Sequence, residues 1–187
     1  MTMDLVEKKN LLDSVDARTR LAGSNKMEIL LFSLGTRETF GINVSKVREV
    51  LEHTKITKLP RTAEFMKGII NLRGAGVPVI DLRLKFGLQE TPITKDTSII
   101  VMEVESQDGT VVVGALADSV HEVIEIDEKS VEPAPRFGTR LAAEFIKGVG
   151  KKDDLFIIIL DIDRIFNAED ISVISASKDA VAAEVES

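Results

Sequence analysis

The sequence predicts a mainly β protein made of two similar small β-barrels or curled sheets. Three observations carry that expectation. A pattern of residues occurs twice along the chain, short Val- and Ile-rich runs alternate with turn residues, and 44% of the 187 residues are apolar, enough to build a core without disulfides or metal.

The repeat organises the chain. Phe40-Gly41 recurs as Val113-Gly114, and Val47-Arg48-Glu49-Val50-Leu51 recurs as Val120-His121-Glu122-Val123-Ile124, both 73 positions later. Further on, AEFMKG (63–68) recurs as AEFIKG (143–148), and Asp81 and Phe86 recur as Asp161 and Phe166, now 80 positions later. The extra residues fall around EPAPRFGTR (132–140), a Pro- and Gly-containing stretch of loop character.

Strands are expected at Ile29–Leu34, Ile69–Leu72, Val77–Ile80, Ile99–Val104, Val111–Leu116 and Leu155–Leu160, each a short β-branched run bounded by Gly, Asn or Asp. Gly35, Gly74, Gly76 and SQDGT (106–110) supply turns, and KGVGKKDD (147–154) reads as a hairpin. Pro78 inside a run points to an edge strand or a bulge. Brief helices are expected at Val44–Leu51, Thr62–Met66, Leu82–Phe86, Arg140–Phe145 and Ile162–Phe166, with Asp81 and Asp161 as caps of the two they precede. Two segments flank the repeat. LLDSVDARTRLAG (11–23) has the spacing of an N-terminal helix stopped by Gly23, and residues 168–187 form an acidic helix or tail.

Composition excludes several classes of function. The chain has no cysteine, so neither a disulfide framework nor a cysteine zinc site exists, and no apolar run approaches the length of a membrane span. The N-terminus lacks the basic and apolar regions of a signal peptide, which leads us to expect a cytoplasmic protein without direct membrane insertion. Nucleic-acid binding calls for clustered cations and stacking aromatics; here the net charge is −7, Trp and Tyr are absent and the basic residues are scattered. The only two histidines, His53 and His121, lie near no nucleophile elbow and read as surface residues. Neither a metal-ligand cluster nor a phosphate loop stands out, so no catalytic residue, metal or cofactor is expected.

The stretch FGINVSKVREVLEHTKITKLPRTAEFMKGIINLRGAGVPVIDLRLKFG (40–87) resembles the signature half of the CheW-like adaptor domain of bacterial chemotaxis, with NLRG followed by VPVIDL as its most diagnostic part. VGALADSVHEVIEI, PAP, FIKGVG and LDIDRIF extend the resemblance over Met27 to Phe166. The resemblance implies two SH3-like five-stranded β-barrels, intertwined in one domain over 27–167, between an N-terminal extension (1–26) and the C-terminal segment (168–187). It also implies a non-enzymatic adaptor that joins the cytoplasmic tips of methyl-accepting chemoreceptors to the regulatory domain of the histidine kinase CheA, within arrays at the membrane. The family's interaction positions fall on Val47, Glu49, Gly68 and Arg73. For Arg73 the bland alternative is a local salt bridge, with Asp81 or Glu49 as partner.

The N-terminal LLDSVDARTRLAGSNKMEILLF also resembles the start of CheV proteins, in which such a domain precedes a phosphorylatable receiver. The alternatives are therefore the adaptor portion of a CheV-like chain, a small-molecule sensor using the cleft between the barrels, and a self-associating module.

Overall fold

In the computed structural model, residues 25–134 and 143–186 are described, with side chains as far as residue 177 in the last helix. The expected N-terminal helix and residues 140–142 lie outside that range. Ten strands are present among the described residues: β1 (Lys26–Ser33), β2 (Thr39–Asn43), β3 (Val47–Glu52), β4 (Met66–Leu72), β5 (Ala75–Asp81), β6 (Ser98–Ser106), β7 (Gly109–Ala117), β8 (Ser119–Asp127), β9 (Ile146–Lys152) and β10 (Leu155–Leu160). Helix α1 (Leu82–Lys85) follows β5, α2 (Ile162–Ile165) follows β10, and α3 (Ala168–Glu186) comes last.

These strands form two five-stranded curled sheets, ordered β8-β1-β2-β10-β9 and β3-β6-β7-β5-β4. The sequence repeat maps one order onto the other, β3 onto β8, β4 onto β9, β5 onto β10, and β2 onto β7. Neither repeat forms a sheet alone. The first barrel takes β1 and β2 from one repeat and β8, β9 and β10 from the other; the second barrel takes the complementary set. The chain crosses between barrels after β2 and again after β7.

Strand alternation explains how one chain fills three cores. On β1, Ile29 and Leu31 point into the first barrel with Ile124, Ile157 and Ile159, while Leu30 and Phe32 point into a core shared by both barrels. On β6, Ile99 and Val101 join Ile70, Val77, Val79 and Leu116 inside the second barrel, while Ile100 and Met102 enter the shared core. Strands covered on both faces have no polar side, which is why these runs read as continuously apolar.

Several expectations need correction. Val44–Leu51 is not a helix: a 3-10 turn at Val44–Lys46 leads directly into β3. Thr62–Met66 is a turn, closed by Met66 N–H donating to Ala63 O at 2.9 Å, with Met66 already the first residue of β4. Of the helix expected at Arg140–Phe145, the described part is a 3-10 turn at Ala143–Phe145. Asp81 caps α1, its Oδ1 accepting from Arg83 N at 2.9 Å, whereas Asp161 makes no side-chain cap to α2.

Pro78 lies in an inner strand with no bulge of its own. Its partner Ile69 spends both backbone groups on Thr57, so Ile69 and Pro78 face each other as a non-hydrogen-bonded pair, and the proline nitrogen points toward β7. Pairing with β7 begins one residue later, at Val79, so no ladder bond is lost.

Candidate functional site

Arg73 and Gly74 form the two-residue tip of the β4–β5 hairpin, with φ of 51° and 88°. Positive φ at both central positions gives the turn twist that suits a tight hairpin, and Asn71 Oδ1 accepts from Gly74 N at 2.8 Å to fasten it. The guanidinium then reaches across to β3, the opposite edge of the curled sheet, where Arg73 Nη2 pairs with Glu49 Oε1. Of the two partners anticipated, the structure selects Glu49; Asp81 is taken by Arg83.

This pair clasps the mouth of the second barrel. Beneath it is a groove lined by Arg48, Glu49, Leu72, Arg73, Val77 and Val101. Val77 and Val101 belong to the core of the barrel, so the floor is apolar and the rim charged. Arg48 Nε donates to Glu103 Oε1 at 2.5 Å. The Arg73 side chain is 71% exposed and that of Glu49 21%, which leaves most guanidinium donors facing solvent beside apolar surface. The lining residues include no nucleophile and base. The groove can accept an apolar side chain and hydrogen-bond a carbonyl or carboxylate beside it.

Val47 begins the same strand, half-buried against the shared core and opposite Met102. A β-bulge at Arg48 separates it from Glu49, since Val47 pairs with Met102 and Glu49 with the adjacent Val101. Gly68 is elsewhere, buried on β4 with φ of 142°, and a Cβ there would lie 2.1 Å from Thr57 O. It permits the Thr57–Ile69 bridge beside β4. The structure thus brings Glu49 and Arg73 into contact, sets Val47 two residues away, and places Gly68 apart from them, at the Thr57–Ile69 bridge. Sequence reasoning missed Arg48, Leu72, Val77 and Val101, which become neighbours only when the sheet curls.

The first barrel carries a counterpart. Glu122 and Asp153 occupy the positions equivalent to Glu49 and Arg73, and Asp153 also has positive φ, 54°. The clasp there is Lys152 Nζ to Glu122 Oε1 at 3.7 Å.

At the opposite end of β5 from the groove lies a buried ionic knot. Asp81 is fully buried, and Arg83 grips it with Nε on Oδ1 and Nη2 on Oδ2, both at 2.9 Å, while Nη1 reaches Asp118 Oδ1 at 3.0 Å. Burial by itself lowers the Arg83 pKa, but the hydrogen bond and charge of Asp81, with Asp118 and Glu90, outweigh it and raise it. Both histidines are half-buried rather than fully exposed, and His121 Nε2 lies 3.4 Å from Ser119 Oγ. No group of three or more His, Asp or Glu among the described residues is placed to hold a metal, and no helix among them is long and apolar enough to cross a membrane.

Residues 28–170 match the model of the CheW-like domain family. The chain belongs to the CheW family. It is 35% identical to the chemotaxis protein CheW of Klebsiella aerogenes over 157 residues, 83% of this chain and 92% of that protein. The crystal structure of the scaffolding protein TtCheW from Thermoanaerobacter tengcongensis superimposes with a TM-score of 0.67 at 41% identity, over 77% of this chain and 90% of that one. The chemotaxis protein CheV3 of Helicobacter pylori is 27% identical over 130 residues, and the match spans only 41% of that protein. The two curled sheets are the SH3-like barrels of a CheW-family adaptor, and a chemotaxis scaffold is the function these relatives support.

Proposed function

We propose that this chain is a non-enzymatic coupling adaptor that binds the cytoplasmic tip of methyl-accepting chemoreceptors and the regulatory domain of the kinase CheA, in the cytoplasm at membrane receptor arrays. The observation that carries the proposal is the Glu49–Arg73 clasp over an apolar groove at the open end of the second barrel. A few apolar anchors ringed by polar groups are what a modest protein–protein contact requires. In this reading Val47, Glu49 and Arg73 make or shape the contact, and Gly68 acts through the barrel closure that supports it.

The test is a pull-down of the chain with a CheA regulatory domain and with a chemoreceptor signalling fragment, run for wild type and Arg73→Ala in parallel. Wild-type binding that falls in a folded Arg73→Ala protein supports the proposal. Absence of wild-type binding to both fragments overturns it, and concentration-dependent sedimentation of the chain alone would then favour self-association.

A further inference from the structure

The first crossing between barrels is very short. After β2 the chain makes only the 3-10 turn Val44–Lys46 before β3 begins at Val47. Asn43 Oδ1 caps that turn by accepting from Ser45 N at 2.9 Å, and Val44 is buried. The crossing is also held from outside by one carboxylate. Asp163 Oδ2 pairs with Lys46 Nζ at 2.8 Å, while Asp163 Oδ1 accepts from the backbone N–H of Glu105 at 2.9 Å. Asp163 stands on α2, which follows β10 of the first barrel, whereas Glu105 is at the end of β6, the strand to which β3 is paired. One side chain therefore ties together a helix of the first barrel, the crossover, and the neighbour of β3.

The second crossing is pinned by the equivalent helix with its charges inverted. Arg83, on α1, occupies the position related to Asp163 by the repeat, and it pairs with Asp118 between β7 and β8. That pin is mostly buried, with Arg83 5% and Asp118 21% exposed; the Lys46 and Asp163 side chains are 28% and 34% exposed. The Arg83 pin is multiply bonded within the protein, whereas the Lys46–Asp163 pin is a partly exposed ion pair backed by one backbone hydrogen bond, Glu105 N–H to Asp163 Oδ1. It lies one residue before the strand that carries Val47 and Glu49.

We propose that Asp163 is a positioning residue for partner docking: by holding Lys46 and the end of β6 together, it sets where β3 starts and so how Val47 and Glu49 are presented. The inference rests on the reading that β3 forms part of the docking surface, but its structural half is testable without a partner. In Asp163→Ala, and in the gentler Asp163→Asn, the backbone amide signals of residues 47–50 should shift in the free protein, while those of the hairpin tip 71–76 stay in place. Binding to a CheA regulatory domain should weaken by about tenfold in the alanine variant with only a small drop in thermal midpoint, as a partly exposed pair contributes modestly to stability. The double variant Lys46→Glu with Asp163→Lys restores an ion pair of opposite sense but not the acceptor for the Glu105 N–H, since an ammonium only donates, so it should recover binding in part relative to either single change. Unmoved amides at 47–50 in both single variants would overturn the proposal, as would equal losses in the double and single variants. Should wild type fail to bind the kinase fragment, the docking reading falls by itself, and the amide shifts alone decide the positioning claim.

Discussion

Gly68 and Thr57 are packed so closely that a methyl group on Gly68 would lie 2.1 Å from the Thr57 carbonyl oxygen. The two barrels solve the same closure at equivalent points, with bridges Thr57–Ile69 and Glu132–Val149 beside Gly68 and Gly148. At Gly148 a Cβ would meet Val131 Cγ1 at 2.4 Å and Glu132 O at 2.8 Å, without the positive φ of Gly68. Gly68→Ala must therefore both clash with backbone and strain its own dihedral, a loss of at least about 2 kcal/mol. Gly148→Ala should lose less, because part of its collision is with a movable side chain. Urea midpoints of the two variants test this; equal midpoints would show that the loop at Thr57 simply yields.

How much of this was legible beforehand depends on what curled the sheets. Strands with both faces buried, β1, β6 and β10, stood out as unbroken apolar runs. Strand β3 did not, and the reason is the bulge. Inserting Arg48 displaces the alternation by one, so the apolar residues Val47, Val50 and Leu51 fall at the i, i+3, i+4 spacing of a helix face. On β8 the same bulge puts Val120, Val123 and Ile124 in that pattern, where Leu30 and Phe32 pair with Val123 and Val120. Arg73 was legible as a turn residue needing an explanation; its contact with Glu49 depends on curling that no local pattern encodes.

Arg73 holds a left-handed φ of 51° that its side chain does not favour. Its ion pair, with a 71% exposed guanidinium, contributes less than about 1 kcal/mol to stability. Replacing it with glycine removes the pair but relieves the backbone, so Arg73→Gly should be at least as stable as Arg73→Ala, by a few tenths to about 1 kcal/mol. Both should bind partner fragments equally poorly. Binding retained by Arg73→Gly would show that the turn, and not the guanidinium, is what partners need.

The Asp81–Arg83–Asp118 knot invites a harsher result. Arg83→Leu leaves Asp81, which is fully buried, without its cation, along with Asp118 and the Thr91 hydroxyl that also bonds Arg83. Breaking one side of a buried pair typically costs about 3–5 kcal/mol, several times the effect of an exposed one. Adding Asp81→Asn to Arg83→Leu should recover part of the loss, because an amide needs no counter-ion. A double variant no more stable than Arg83→Leu would place the damage in lost packing around α1 instead of in the stranded charge.

His121 sets a pH dependence whose sign can be worked out. Burial lowers its pKa from the ordinary 6.5, and the charge of Glu122 opposes that only in part. The unfolded chain therefore binds the proton more readily than the folded one. Stability attributable to His121 is intact above the ordinary value and declines as the pH falls through it, levelling off once the folded protein is protonated as well. A His121→Gln variant cannot take up that proton, so its thermal midpoint should drop less than that of wild type between about pH 8 and about pH 5. Parallel midpoints across that range would mean that the imidazole stays as well solvated in the fold as in the unfolded chain, and that its contact with Ser119 has no consequence for titration.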